Sequence, residues 1–113
     1  MKIVTETLTH QELKQMASVL FGDMVKGVVD VEKDIVALDA ELHSDLEALL
    51  LQEGSKQRDL WGINLYPEMQ GEDFLEYDSM INIRPSQGNK SRSVDNPEIR
   101  KKIAEIIGKR IDR

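Results

Sequence analysis

The 113-residue sequence predicts an α+β fold, a mainly antiparallel sheet of four to five strands with two to three helices packed on one face. Apolar residues recur at helical spacing in three segments and alternate with polar residues in several others. These segments interleave without the long repeated βαβ units of a doubly wound sheet, which favours hairpins. At this length, a single globular domain is expected over residues 1–113.

The N-terminal half is predicted to contain a short first strand at Ile3 and Val4, a capped helix and a hairpin. Thr9 stands three residues before Glu12, which is the capping-box spacing, and helical periodicity then continues to a glycine. Two strands follow, over residues 25–31 and residues 36–43, separated by a turn of charged residues. The second strand alternates apolar and polar residues throughout, so it is expected to have one polar face.

The C-terminal half is predicted to add two helices and two strands. A short helix over residues 44–53 begins at Ser44, and a strand over residues 61–66 follows it. A long strand over residues 75–84 then ends before a proline, which cannot donate to a strand ladder. Asn96-Pro97 is a strong helix start, with an N-cap side chain and a proline at the first helical position.

Composition excludes several classes of function. The chain has no cysteine, so disulfides, thiolate nucleophiles and thiolate zinc sites are excluded. The net charge of −6 argues against broad nucleic-acid binding. No apolar run approaches the ~18 residues of a membrane span, and a cytoplasmic location without membrane association is expected. We expect no cofactor and no metal, because no zinc-site spacing and no closely spaced histidine pair is present.

Charge is divided unevenly along the chain. Residues 1–81 carry 6 Lys or Arg and 17 Asp or Glu, whereas residues 82–113 carry 9 and 4. One interpretation is that the two ends attract each other in the folded chain, or that the last helix has a solvated basic face. The other is an anion site in the C-terminal third.

A dense polar face is predicted on the side of the sheet that the helices leave open. Its residues are Asp39, Glu41, His43, Asn64, Tyr66, Glu76, Asp78, Asn82 and Arg84. Antiparallel sheets commonly have such a solvated face, so a purely structural interpretation is open. The same residues could instead perform acid–base chemistry, with His43, Arg84 and Asp78 as catalytic candidates. Neighbouring carboxylates are expected to raise the pKa of His43 above that of His10.

The segment RPSQGNKSR forms a polar loop before the last helix. Its candidate ligand-binding residues are Arg84, Ser86, Gln87, Gly88, Asn89 and Arg92. Such a loop can hold phosphate or carboxylate through backbone N–H groups and arginine. It lacks the spacing of a nucleotide P-loop, and it could also be an ordinary long connection.

Two segments, ELHSDLEALLLQEGSKQRDLWGINLYP and DSMINIRPSQGNKSRSV, resemble a family of small prokaryotic proteins catalogued only as a domain of unknown function. The pieces DLWGINLYP and RPSQGN are its most specific parts. The resemblance implies no activity, cofactor, partner or catalytic residue.

Three classes of function therefore remain open. The first is a small binding module that holds an anionic ligand or a partner protein on the polar face and the loop. The second is a small hydrolase acting on a phosphodiester or similar anion, with His43 as acid or base and Arg84 stabilising negative charge. The third is a structural protein that can form homo-oligomers.

Overall fold

A computed structural model describes all 113 residues. The strands are β1 (Lys2–Val4), β2 (Leu8–Thr9), β3 (Val25–Asp30), β4 (Ile35–Leu38), β5 (Leu60–Leu65), β6 (Leu75–Glu76) and β7 (Ile111–Asp112). The helices are α1 (His10–Leu20), α2 (His43–Gln52) and α3 (Pro97–Arg110). One-turn 3-10 helices lie at Gln57–Asp59, Gly71–Asp73, Met80–Asn82 and Pro85–Gln87. None of the helices is long and apolar enough to cross a membrane.

Five strands form one antiparallel sheet in the order β1-β4-β3-β5-β6, which confirms the predicted fold class. The central strands β3 and β5 pair over six residues, from Val25 opposite Leu65 to Asp30 opposite Leu60. A second, two-stranded parallel sheet joins β2 to β7, with Leu8 opposite Ile111. This small sheet, which the sequence pattern did not predict, places the end of α3 beside the start of α1.

Helices α1 and α3 cover one side of the large sheet, which we call the packed face. Side chains from both helices and from all four longer strands of the sheet form a 17-residue apolar cluster there. Its fully buried members include Leu13, Val29, Val36, Ile63 and Ile103. Two helices thus pack on one face, as predicted.

Helix α2 lies on the opposite side of the sheet, which we call the cleft face. Leu46 and Leu50 of α2 pack on Val28, Ala37 and Leu60 in a separate cluster of six buried residues. Because one short helix cannot cover a five-stranded sheet, part of this face stays open. The open polar face is therefore smaller than the sequence pattern suggested.

The second hairpin strand is shorter than predicted. Strand β4 ends at Leu38, and Asp39 has a φ of 77°, a left-handed conformation that cannot continue a strand. Helix α2 then begins at His43, with Leu42 rather than Ser44 at the N-cap position. The expected polar strand face through residues 39–43 therefore does not exist.

The predicted long strand over residues 75–84 is also wrong, because β6 contains only Leu75 and Glu76. Beyond it the chain crosses so close to β5 that a Cβ on Gly62 would lie 2.4 Å from the Cβ of Ser79. The Asn82 carboxamide then makes the hydrogen bonds to β5 that a neighbouring strand would make. It accepts from Gly62 N–H at 2.8 Å and donates to Gly62 O at 3.0 Å. Residues 77–84, which alternate in polarity, are therefore joined to β5 by the Asn82 side chain and not by backbone strand pairing.

Helices α1 and α3 begin with the predicted caps. Thr9 Oγ1 accepts from Glu12 N–H at 3.1 Å, and the Glu12 carboxylate accepts from Thr9 N–H in return. Asn96 Oδ1 accepts from Glu98 N–H at 2.8 Å. Both caps satisfy amides that a helix start leaves without an intrahelical partner.

The two charged halves of the chain meet at the β3–β4 turn. The Asp34 carboxylate lies 3.1 Å from Lys102 Nζ and 3.6 Å from Lys109 Nζ of α3. Arg110 also donates to the Asp34 carbonyl oxygen at 2.8 Å. These contacts support the interpretation that the acidic and basic parts of the sequence attract each other in the folded chain.

Candidate functional site

A cleft of about 440 Å³ opens on the cleft face, between the start of α2, the central strands and the segment after β6. Its lining residues are Met24, Lys26, Leu42, His43, Ser44, Asn64, Tyr66, Glu76, Asp78, Ser79, Met80, Ile81 and Arg92. Residues 64 and 76 come together because they are register partners in the β5–β6 pair. The cleft thus collects groups that are far apart in sequence.

A rigid hydrogen-bonded array forms one wall of the cleft. Asn64, only 5% exposed, donates from Nδ2 to Glu76 Oε1 at 2.8 Å and to the Asp78 carbonyl oxygen at 3.1 Å. Tyr66 OH donates to the same Glu76 oxygen at 3.0 Å. Burial, together with the Glu76 carboxylate, raises the pKa of Tyr66 to about 12. The array fixes the Asn64 carboxamide, whose buried Oδ1 accepts no hydrogen bond within the array and whose side chain also interacts with the His43 ring.

His43 lies at the first position of α2 and is half-buried against β5. Its Nε2 donates to the Ile63 carbonyl oxygen at 2.8 Å, since a carbonyl can only accept. Burial lowers the pKa of His43, and the nearby Lys26 ammonium lowers it further. The expected increase in this pKa is therefore wrong, because desolvation outweighs the hydrogen bond to the Ile63 carbonyl, the contact with the Asn64 side chain and the attraction of Asp78.

The charged groups of the cleft differ in how they are paired. Arg92 binds Asp78 through two contacts, Nε to Oδ1 at 2.7 Å and Nη2 to Oδ2 at 3.3 Å. This pairing raises the pKa of Arg92. Lys26 takes part in none of the salt bridges, and its ammonium lies 5.1 Å from the centre of the Phe21 ring. Lys26 is thus the unpaired cation of the cleft.

The N-terminus of α2 faces the cleft without a side-chain cap. Leu42 occupies the N-cap position, so the amides of His43 and Ser44 receive no capping hydrogen bond. Asp45 N–H, by contrast, reaches the Leu42 carbonyl oxygen at 3.2 Å. Uncapped amides and the helix dipole favour an anion at this position.

Arg84 lies outside the cleft and anchors the loop that it begins. Its two terminal nitrogens donate to the carbonyl oxygens of Gln57 and Leu60, and its guanidinium stacks 4.2 Å from the centre of the Trp61 ring. Burial lowers the pKa of Arg84. The hydrolase hypothesis required His43 and Arg84 to share one cleft, and the structure places them apart.

The rest of the predicted anion loop uses its polar groups mainly to hold the chain. Asn89 is buried, the two N–H groups of its Nδ2 share three carbonyl oxygens, and its Oδ1 accepts from Asp95 N–H. Gln87 donates to the Arg58 carbonyl oxygen, and Gly88 has the positive φ, 79°, that the turn requires. Ser86 is exposed. Among the predicted ligand-binding residues, Arg92 alone lines the cleft.

The predicted polar face is thus divided by the structure. His43, Asn64, Tyr66, Glu76 and Asp78 meet in the cleft, whereas Asp39, Glu41, Asn82 and Arg84 do not line it. No group of three or more His, Asp or Glu side chains is arranged to hold a metal ion. Sequence reasoning missed Lys26, Leu42 and Ser44. The signal for Lys26 was its position as a lone cation inside the apolar strand VKGVVD.

Comparison with known proteins supplies a family and nothing more specific. Residues 2–110 match the family described as "Protein of unknown function (DUF5674)". The match confirms the resemblance carried by DLWGINLYP and RPSQGN. No curated protein and no solved structure matches the chain.

Proposed function

We propose that this chain, which belongs to the DUF5674 family, is a binding module that holds a small anionic ligand in the cleft. Lys26 and the uncapped start of α2 are its anion-binding groups. One observation carries the proposal: an unpaired ammonium and an uncapped helix N-terminus line the same cleft as a buried, unpartnered carboxamide oxygen.

The position of Lys26 is the first support for an anion. Its side chain is partly removed from water on a strand whose other residues are mostly buried, and no carboxylate pairs with it. Its ammonium lies over the Phe21 ring and meets no carboxylate, so its charge is available to a bound anion. The carboxylates nearest the cleft are already engaged, Asp78 by Arg92 and Glu76 by Asn64 and Tyr66.

The Asn64 carboxamide is the second support. Its Oδ1 is one of five buried side-chain atoms in the chain without a hydrogen-bond partner, and the only one of them that belongs to a cleft-lining residue. Its Nδ2 has two acceptors already, which prevents the carboxamide from turning over to satisfy the oxygen. Because this oxygen is shielded from solvent, a ligand would reach it only after a neighbouring group moves aside, and an N–H or O–H group of the ligand would then supply the missing donor.

The hydrolase alternative has weaker support in this geometry. His43 Nε2 is committed to the Ile63 carbonyl, Asp78 is neutralised by Arg92, and Arg84 is outside the cleft. The loop over residues 84–92 has also committed most of its donors to main-chain carbonyls. A cytoplasmic location is part of the proposal and is consistent with a chain that lacks cysteine.

Amide NMR titration with inorganic phosphate tests the proposal. The His43 and Ser44 amides and the Asn64 side-chain amide should shift most, and Lys26→Gln should abolish the shifts. Lys101→Gln, which removes an exposed lysine of α3 outside the cleft, is the matched control and should leave them unchanged. Largest shifts at Gly88 and Asn89 would move the site to the loop, and equal losses in both variants would show nonspecific charge attraction.

A further inference from the structure

We infer that the ligand of the cleft is an amphiphilic organic anion, with a carboxylate or phosphate head and an apolar arm. The inference rests on the proposed function, because the head occupies the anion-binding groups proposed there. It adds the chemical class of the rest of the ligand.

The rim of the cleft carries large apolar side chains that the fold leaves in water. Leu42, at the start of α2, is 55% exposed, and Met80, in the 3-10 helix after β6, is 64% exposed. Both line the cleft, and Met24 joins them from the segment before β3. Exposed apolar residues that gather around a polar cleft are typical of binding sites, and methionine adapts readily to the shape of a ligand.

Leu42 lines the cleft but is an unfavourable N-cap residue for α2. An apolar N-cap is less favourable than Ser, Thr, Asp or Asn, and α1 and α3 both carry a preferred residue. At α2 the leucine leaves the His43 and Ser44 amides open and also places an apolar side chain beside them. A ligand with an anionic head and an apolar arm would use both consequences of that residue.

The head and the arm have distinct places. Carboxylate and phosphate oxygens both accept from backbone amides at a helix start and both attract an ammonium such as that of Lys26. The arm would lie on Leu42, Met80 and Met24. A cleft of about 440 Å³ is within the size range of small-molecule sites.

Calorimetric titration of the full chain with acetate, butyrate and hexanoate, with butyl and hexyl phosphate, and with hexanol tests this inference. Affinity should rise with chain length within each series, by up to about fourfold for each methylene that is fully buried. The better series identifies the head as carboxylate or phosphate. Hexanol, which has the arm but no charge, should bind much more weakly than hexanoate or hexyl phosphate.

The variant Leu42→Ser tests the contact with the ligand's apolar arm independently of the stability of the fold. It removes an apolar contact and supplies a capping hydroxyl that competes for the open amides, so the affinity for the preferred hexyl ligand should fall roughly tenfold. Its melting temperature should not fall, because serine is the better N-cap. Leu51→Ser is the matched control, since Leu51 is an exposed leucine of α2 that does not line the cleft, and it should bind like the wild type.

The outcomes distinguish the two proposals. Equal affinity for short and long anions, or no loss in Leu42→Ser, would overturn the apolar arm and leave the anion site standing. Equal binding of hexanol and both hexyl anions would overturn the anion site, and the amphiphilic ligand with it. Absence of binding by every compound would overturn both.

Discussion

The two faces of the sheet are built in different ways. On the packed face, two helices and a 17-residue cluster cover the strands, and both helices begin with a side-chain cap. On the cleft face, one helix and a six-residue cluster cover only part of the strands, and that helix begins without a cap. The difference assigns stability mainly to the packed face.

The cleft face departs from local rules at two places, since it leaves a lysine of the sheet without a carboxylate partner and a helix start without a side-chain cap. Buried polar atoms without a hydrogen-bond partner lie on both faces, Asn64 Oδ1 at the cleft and Trp61 Nε1 in the packed cluster. Natural proteins tend to violate such rules at functional sites and to compensate elsewhere. The comparison therefore supports the cleft as the functional region, and the following variants either strengthen or break it.

The largest effect is expected from Ile103→Ala in α3. Ile103 is fully buried in the packed cluster, so the change should lower the free energy of unfolding by about 2–5 kcal/mol. Urea melts should show one cooperative transition, as expected of a single domain. Val19→Ala in α1, where the side chain is 77% exposed, is the control and should change little. A loss below about 0.5 kcal/mol, or two separate transitions, would contradict one shared core.

A smaller loss is expected from Asn82→Ala. Asn82 is fully buried, bonds Gly62 N–H and Gly62 O, and also donates to the Arg92 carbonyl oxygen. Its removal leaves Gly62 N–H and Gly62 O without their side-chain partner, whereas the Arg92 carbonyl oxygen keeps the Ser79 N–H at 3.0 Å. We expect a cost of about 2–3 kcal/mol in the free energy of unfolding. Ser86→Ala, on the exposed part of the following loop, is the control. If the two variants unfold alike, the side chain does not replace a strand.

Substitutions at the N-cap positions of α1 and α2 should change the free energy of unfolding in opposite directions. Thr9→Ala breaks the capping box of α1 and should cost about 1 kcal/mol. Leu42→Ser should instead stabilise the chain by up to about 1 kcal/mol, because it gives α2 the cap that it lacks. Denaturant melts of both variants measure these two changes in the free energy of unfolding. A loss of stability in Leu42→Ser would mean that Leu42 has a packing role, and the contrast between the faces would weaken.

Sequence patterns predicted the features of the fold that depend on near neighbours. The caps at Thr9 and Asn96 involve residues two or three positions apart, so their spacing is visible in the chain. The predicted strand ends were wrong because the polar–apolar alternation continues through residues 39–43 and 77–84, although the chain is not a strand there. The left-handed Asp39 stops one strand, and the Asn82 side chain, bonded 20 positions away, replaces the other.

The site was partly predictable for the same reason. Asn64, Tyr66 and Glu76 share a face through a short hairpin, and the sequence grouped them correctly. Arg84 was misplaced because its partners are main-chain carbonyls of residues 24 and 27 positions away, which no side-chain pattern reveals. Lys26 was missed because a single cationic residue in a mostly apolar strand gives no sign of whether its ammonium pairs with a carboxylate.

The smallest effect concerns the pH dependence of His43. Burial lowers its folded-state pKa below the ordinary value of 6.5, so the unfolded chain binds more protons as the pH falls through this range. Stability that is present above pH 6.5 is therefore lost as the pH falls towards the folded pKa.

His43→Gln removes this titration, and its stability cost relative to wild type should be smaller at pH 5 than at pH 8. Urea melts at both values measure the difference, and NMR titration of the ring measures the pKa directly. A cost that grows at pH 5, with a ring pKa above 6.5, would show that carboxylates and not burial control His43, and that the cleft is more open than the packing of α2 on β5 indicates.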